Sequence, residues 1–181
     1  MLGSRDAAKA DAAMASIRSR VSGADVRKLQ LDLADLPSLK AAVDRLDLGH
    51  LDAVAYKRRG RARRPAASGD RGGHELMFGT NHLGHFALTQ RPAPLLSAAP
   101  AGRIVTVGSF AARSERLDLD DLQSAQDYRP KRTYGRSKLA QMCFGFELDR
   151  RLRAVGSTVL SVVTHPGGAL DSSPRPAGRY A

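Results

Sequence analysis

The sequence predicts an α/β fold, a parallel sheet wound with helices on both faces. Two observations carry this. Segments with helical spacing of apolar residues alternate with short apolar or alternating segments along the whole chain, and each connection between strands is long enough to hold a helix. That alternation argues for right-handed crossovers and parallel pairing.

The elements follow in order. Asp6 to Arg20, "DAAKADAAMASIRSR", is Ala-rich with apolar residues at helical spacing, and Ser22-Gly23 closes it. A strand is expected over 26–31 in "DVRKLQLDL". Asp35 then caps a helix with Pro37 in its first turn, running to about Leu46. "LDAVAY" gives a strand over 51–56. "GHELMFGTNHLGHFALTQ" is helical in period, but Gly79 and Gly84, with Pro92 and Pro94 just beyond, make it an imperfect helix. "GRIVTVGS" gives a strand over 103–108, "TYGRSKLAQMCFGFELDRRLRA" a long amphipathic helix, and "STVLSVVTHPGG" a strand over 157–164 with its loop. Sheets of this kind bind ligands beyond the carboxyl ends of their strands. Asp32, the region after Tyr56, Ser109 and Pro166-Gly167 therefore belong to one edge.

Composition bounds the function. With 181 residues, 42% hydrophobic and 26% charged, the chain is long enough for one globular domain with its own core. The formal charge of +11 suggests nucleic acid, yet Lys57 to Arg71 alone holds seven basic residues against Asp70, a net +6. The remainder is an ordinary, mildly basic protein. Cys143 is the only cysteine, which excludes an internal disulfide and suits a reducing compartment; it is expected to be a small buried residue. No run approaches the ~18 apolar residues of a membrane span, and no charged-then-apolar leader opens the chain, so the expected location is cytoplasmic. His82 and His85 have no third ligand at zinc spacing, so no metal site is expected.

Tyr134 and Lys138 in "YGRSK" lie four apart, on one helix face. An ammonium beside a phenol favours the phenolate and makes Tyr134 a usable acid or base. Alone, such a pair is more often a solvated face. Ser109 follows a strand, where its hydroxyl could bond a substrate carbonyl, and Asn81 in "FGTNHLGHF" sits inside a helix that its side chain can perturb.

With these residues in place, the sequence resembles the short-chain dehydrogenase/reductase family from Leu2 to about Pro176. "FGTNHLGHF", "LDLDDL", "YGRSKLA" and "ELDRRL", in this order, point to its retinol dehydrogenase and protochlorophyllide reductase branch. The resemblance implies a Rossmann-like doubly wound sheet and a single NAD(P)-binding domain over residues 1–181. It implies hydride transfer between a nicotinamide cofactor and a small carbonyl or alcohol substrate. The catalytic tetrad falls on Asn81, Ser109, Tyr134 and Lys138. Tyr134 would protonate the carbonyl oxygen, Ser109 polarise it, Lys138 hold the nicotinamide ribose and tune Tyr134, and Asn81 anchor a water in the proton relay. Asp32 matches the adenine contact, and Pro166-Gly167 the loop beside the nicotinamide. Arg5 stands where the family often meets a 2'-phosphate, which implies NADP(H) over NAD(H). His165 is expected to be structural. An oligomer is compatible with all of this.

Two family features are missing from these 181 residues. The family opens on a strand and a Thr-Gly-x-x-x-Gly-x-Gly loop, whose glycines admit the pyrophosphate to a helix N-terminus; the sequence here starts at "MLGSR", which matches the end of the family's second strand. The resemblance therefore implies an incomplete sheet, short of a central first strand. After "LDAVAY" the family carries Asn-Asn-Ala-Gly, and here stands Tyr-Lys-Arg-Arg-Gly. One codon choice for Tyr56 to Gly60, TAC AAA CGC CGG GGN, gives Thr-Asn-Ala-Gly when read one base later. The basic stretch at 57–73 thus reads as a frameshifted cofactor motif, with a second slip just before "GHELMFGTNHLGHF". The competing reading, a basic loop on phosphate backbones, lacks interleaved aromatics and a recognition helix, so no nucleic-acid partner is expected. Two expectations stand side by side: an active reductase, favoured by the complete tetrad, and an inactive remnant, favoured by the lost motifs.

Overall fold

A computed structural model describes residues 1–57, 70 and 72–165. The chain enters on β1 (Leu2–Ser4), and Asp6 caps α1 (Ala7–Arg20) by accepting from the Lys9 N–H at 3.0 Å. β2 (Lys28–Gln30) follows, and Asp35 caps α2 (Leu36–Asp44) by accepting from the Ser38 N–H. β3 (Ala53–Tyr56) precedes α3 (Leu76–Phe78), which passes through a π-helical turn at Gly79–Leu83 into α4 (Gly84–Gln90). Then come α5 (Ala93–Ser97), β4 (Arg103–Val107), a 3₁₀ turn (Phe110–Ala112), α6 (Pro130–Ala154) and β5 (Leu160–Thr164).

Every expected strand forms, shorter than the pattern suggested, and all pairings are parallel. The sheet is in two pieces, β1–β2 and β3–β4–β5. One core still joins them. Leu39, Val43, Tyr56, Leu88, Leu96, Ile104 and Val159 form its buried centre, and Leu31 and Leu33, just after β2, pack against it. Burying a leucine as completely as Leu39 or Leu96 is worth ~1.5–3 kcal/mol. The π turn replaces the single imperfect helix of the sequence reading. Its hydrogen bond runs five residues, from the Gly84 N–H to the Gly79 carbonyl. Gly84 is required where it stands, since a Cβ there would strike the Leu33 backbone carbonyl.

Cys143 is exposed, which corrects the expectation of a buried residue. It lies nine residues beyond Tyr134 on α6, and at ~100° per residue that is half a turn from Tyr134's buried face. No helix among the described residues is long and apolar enough to cross a membrane.

Candidate active site

The site is built where α6 crosses the end of β4. Pro130 occupies the first turn of α6, where its missing N–H costs nothing. Five residues later Gly135 lets the helix ride on the 3₁₀ turn behind Ser109, because a Cβ at Gly135 would sit 2.5 Å from the Ala111 carbonyl oxygen and 2.6 Å from Glu115 Cγ. Gly135→Ala is expected to lower the urea midpoint, at a cost of ~1–3 kcal/mol for overpacking a contact made partly by backbone.

This crossing brings three of the four tetrad positions to one place. Tyr134 and Lys138 are both buried, one turn apart on α6. The Lys138 Nζ donates to the Val107 carbonyl at 2.9 Å, at the last residue of β4 and two residues before Ser109. Ser109 Oγ accepts from the Ala111 N–H at 3.3 Å and so caps its own turn. The fourth residue, Asn81, is fully buried in the π turn, and its Nδ2 donates to Ser137 Oγ at 3.0 Å, between Tyr134 and Lys138 in sequence.

Burial sets the electrostatics. It pulls the Lys138 ammonium down from its ordinary 10.5 to about 8. The fold therefore favours the neutral amine, and between pH 10.5 and 8 the unfolded chain takes up this proton first. Stability from this group is lost as pH falls through that window, and below 8 the full penalty is paid to keep a charge in the site. Lys138→Met is thus expected to gain in thermal midpoint relative to the parent at pH 7, with the difference shrinking towards pH 10.5. Melting curves of both chains at the two pH values measure it.

The remaining expected residues divide. Arg5 and Asp32 follow β1 and β2, whose parallel register pairs Ser4 with Gln30, so both stand at the carboxyl edge of that sheet. Arg5 is exposed, its carbonyl accepting from Gln30 Nε2 at 2.7 Å, and Asp32 Oδ1 accepts from the Ala34 N–H at 3.0 Å. Pro166 and Gly167 lie outside the described residues. His165, at the end of β5, lies against the exposed Phe110 with ring centroids 3.8 Å apart, which places an apolar platform next to Ser109.

Sequence reasoning missed three participants. Ser137 was visible inside "YGRSK" and His85 at four residues from Asn81; helical spacing could have flagged both. Asp70 was hidden in the basic stretch. Its side chain is fully buried and accepts from the N–H groups of Gly72 and His74 at 2.8 Å each and from His74 Nδ1, against Gly79 at the start of the π turn.

A parallel α/β sheet with Ser109 just beyond one strand, and Tyr134 and Lys138 one helical turn apart on the helix beside it, fits a class, the short-chain oxidoreductases. The family described as "short chain dehydrogenase" matches residues 1–119, and the chain belongs to that family. Among curated proteins it is 36% identical to human retinol dehydrogenase 13 over 171 residues, 93% of this chain and 51% of that protein. It is 33% identical to human polyprenol dehydrogenase over 163 residues, 88% of this chain and 49% of the other. The chain spans about half the length of the curated relatives it matches. Among solved structures, an uncharacterized protein from Mycobacterium paratuberculosis superposes with a TM-score of 0.79 at 36% identity, covering 92% of this chain and 58% of that one. The Pseudomonas aeruginosa RhlG/NADP complex shares the fold, with a TM-score of 0.66 at 22% identity over 89% of this chain and 59% of its own. The retinol dehydrogenase-like branch expected from the motifs is therefore the right one.

Proposed function

We propose that this chain transfers hydride between NADP(H) and a carbonyl or alcohol substrate. The observation that carries the reading is Lys138, a buried lysine bonded to the end of β4 in one helical turn with Tyr134. A charge is kept there at a cost to stability, as functional sites often require. When bound, the cofactor supplies the hydride. Tyr134 gives its phenolic proton to the carbonyl oxygen, Ser109 donates a hydrogen bond to the same oxygen, and Lys138 would hold the ribose. Asn81 holds a water in the relay that reprotonates Tyr134.

The residues fit the two ends of the cofactor: Lys138 suits the nicotinamide ribose, and Asp32 and Arg5 the adenosine. For the pyrophosphate, no glycine loop occurs within these 181 residues. The names of the relatives, retinol and polyprenol dehydrogenase, support an alcohol as substrate, and the exposed Phe110 beside Ser109 suits an apolar one. A cytoplasmic location and a small-molecule substrate without nucleic acid belong to the same reading. A second reading, an inactive descendant, is favoured by one internal feature: Tyr-Lys-Arg-Arg-Gly in place of Asn-Asn-Ala-Gly at 56–60.

The test is NADPH consumption with an apolar aldehyde by the chain completed with a family-like strand, glycine loop and Asn-Asn-Ala-Gly, run beside Arg5→Ala in the same background. The variant is expected to weaken NADPH and spare NADH, since only the former offers a 2'-phosphate to a guanidinium. Equal losses for both cofactors would remove Arg5 from the site.

A further inference from the structure

Asn81 is held from both ends. Its side-chain Nδ2 donates to Ser137 Oγ at 3.0 Å, and Ser137 in turn donates its own proton to the Tyr134 carbonyl at 2.8 Å. At the other end, the Asn81 backbone carbonyl lies 3.0 Å from His85 Nδ1. The imidazole is itself fixed, being 2% exposed and stacked on Tyr56 at the end of β3 with ring centroids 5.0 Å apart and 28° between planes. The His85 carbonyl accepts from Thr89 Oγ1 at 2.8 Å. A π turn shifts the backbone ladder by one residue, and a side chain that can bond a carbonyl locally stabilises such a turn.

We propose that His85 and Ser137 are positioning residues for the reaction of the preceding section, clamping Asn81 between β3 and the turn of α6 that carries Tyr134 and Lys138. The inference rests on that reading for its purpose and on the hydrogen bonds for its content. A carbonyl accepts only from a proton, so His85 must carry its proton on Nδ1. Ser137 acts as the hinge pin between two tetrad residues: it accepts from Asn81 with one lone pair and spends its only proton on Tyr134. Neither residue touches the reacting atoms.

The experiment uses the 181-residue chain as it is, labelled with ¹⁵N-histidine and ¹³C-carbonyl asparagine. Long-range proton–nitrogen correlation is expected to show His85 as the Nδ1–H tautomer, with a coupling across the hydrogen bond to the Asn81 carbonyl carbon. The Nε2–H tautomer, or no coupling, overturns the role of His85. His85→Leu should abolish the slow exchange of the Asn81 side-chain amide, and His85→Asn, which keeps a donor at the place of Nδ1, should restore it. Ser137→Ala should speed exchange of the Asn81 Nδ2 protons roughly tenfold, as loss of one buried hydrogen bond implies; an unchanged rate overturns the role of Ser137. The tautomer is read on the unsubstituted chain, so a variant that fails to fold leaves the decision to it. None of these readouts needs cofactor or turnover, so their failure is distinct from failure of the redox reading.

Discussion

Tyr134→Phe is expected to cost ~10²- to 10⁴-fold in turnover, the range general acid catalysis supplies. The measurement belongs in a chain to which a family-like strand and glycine loop have been joined and in which Asn-Asn-Ala-Gly has been restored, so that cofactor binding is not limiting. Phe keeps the buried ring and removes only the hydroxyl, so the proton source is lost. Lys138 cannot substitute. Its ammonium donates to the Val107 carbonyl at the end of β4, and in the proposed reaction it meets the ribose rather than the carbonyl oxygen. Full reductase activity in Tyr134→Phe would sink the chemistry while leaving the fold intact.

Most of the fold was legible because period and turn chemistry agreed. The Asp35 cap, Pro37 in the first turn of α2 and the run "RIVTV" all stand where local rules place them. The tetrad was legible only through motif order. No rule of spacing joins Asn81 to Ser137 across 56 residues, and that bond exists because Gly84 lets α4 approach the Leu33 backbone while Gly135 lets α6 approach Ala111. The π turn was invisible for a related reason. It differs from an α-helix by one residue of register, and the selection between them is made by tertiary partners of Asn81 rather than by the sequence of "GTNHL". Cys143 shows the reverse case, in which helical geometry was available in the sequence and residue type was followed instead. Asp70 shows what composition conceals: an acid surrounded by arginines reads as part of a charged run, yet it is the buried acceptor for the Gly72 and His74 N–H groups in the turn ahead of α3.

The second large effect concerns cofactor affinity. The 181-residue chain is expected to bind NADPH weakly or undetectably by calorimetry, whereas the completed chain should bind in the micromolar range. The pyrophosphate carries negative charge on both phosphates, and helix N-termini hold it with several backbone N–H groups and a favourable dipole. In this chain β1 matches the family's second strand, so α1 is not the helix that takes the pyrophosphate, and its first turn is already engaged by Asp6 Oδ1, which accepts from the Lys9 N–H. The second contribution is lost at β3. Tyr56 ends that strand as a buried aromatic, its phenol pushed up to about 12 mainly by burial, where the family pattern has a short polar residue lining the cleft. Joining the strand and glycine loop alone should recover part of the affinity, and restoring Asn-Asn-Ala-Gly as well should recover the rest. Micromolar binding by the unmodified chain would overturn this expectation and show that Lys138, Asp32 and Arg5 hold the cofactor without either motif.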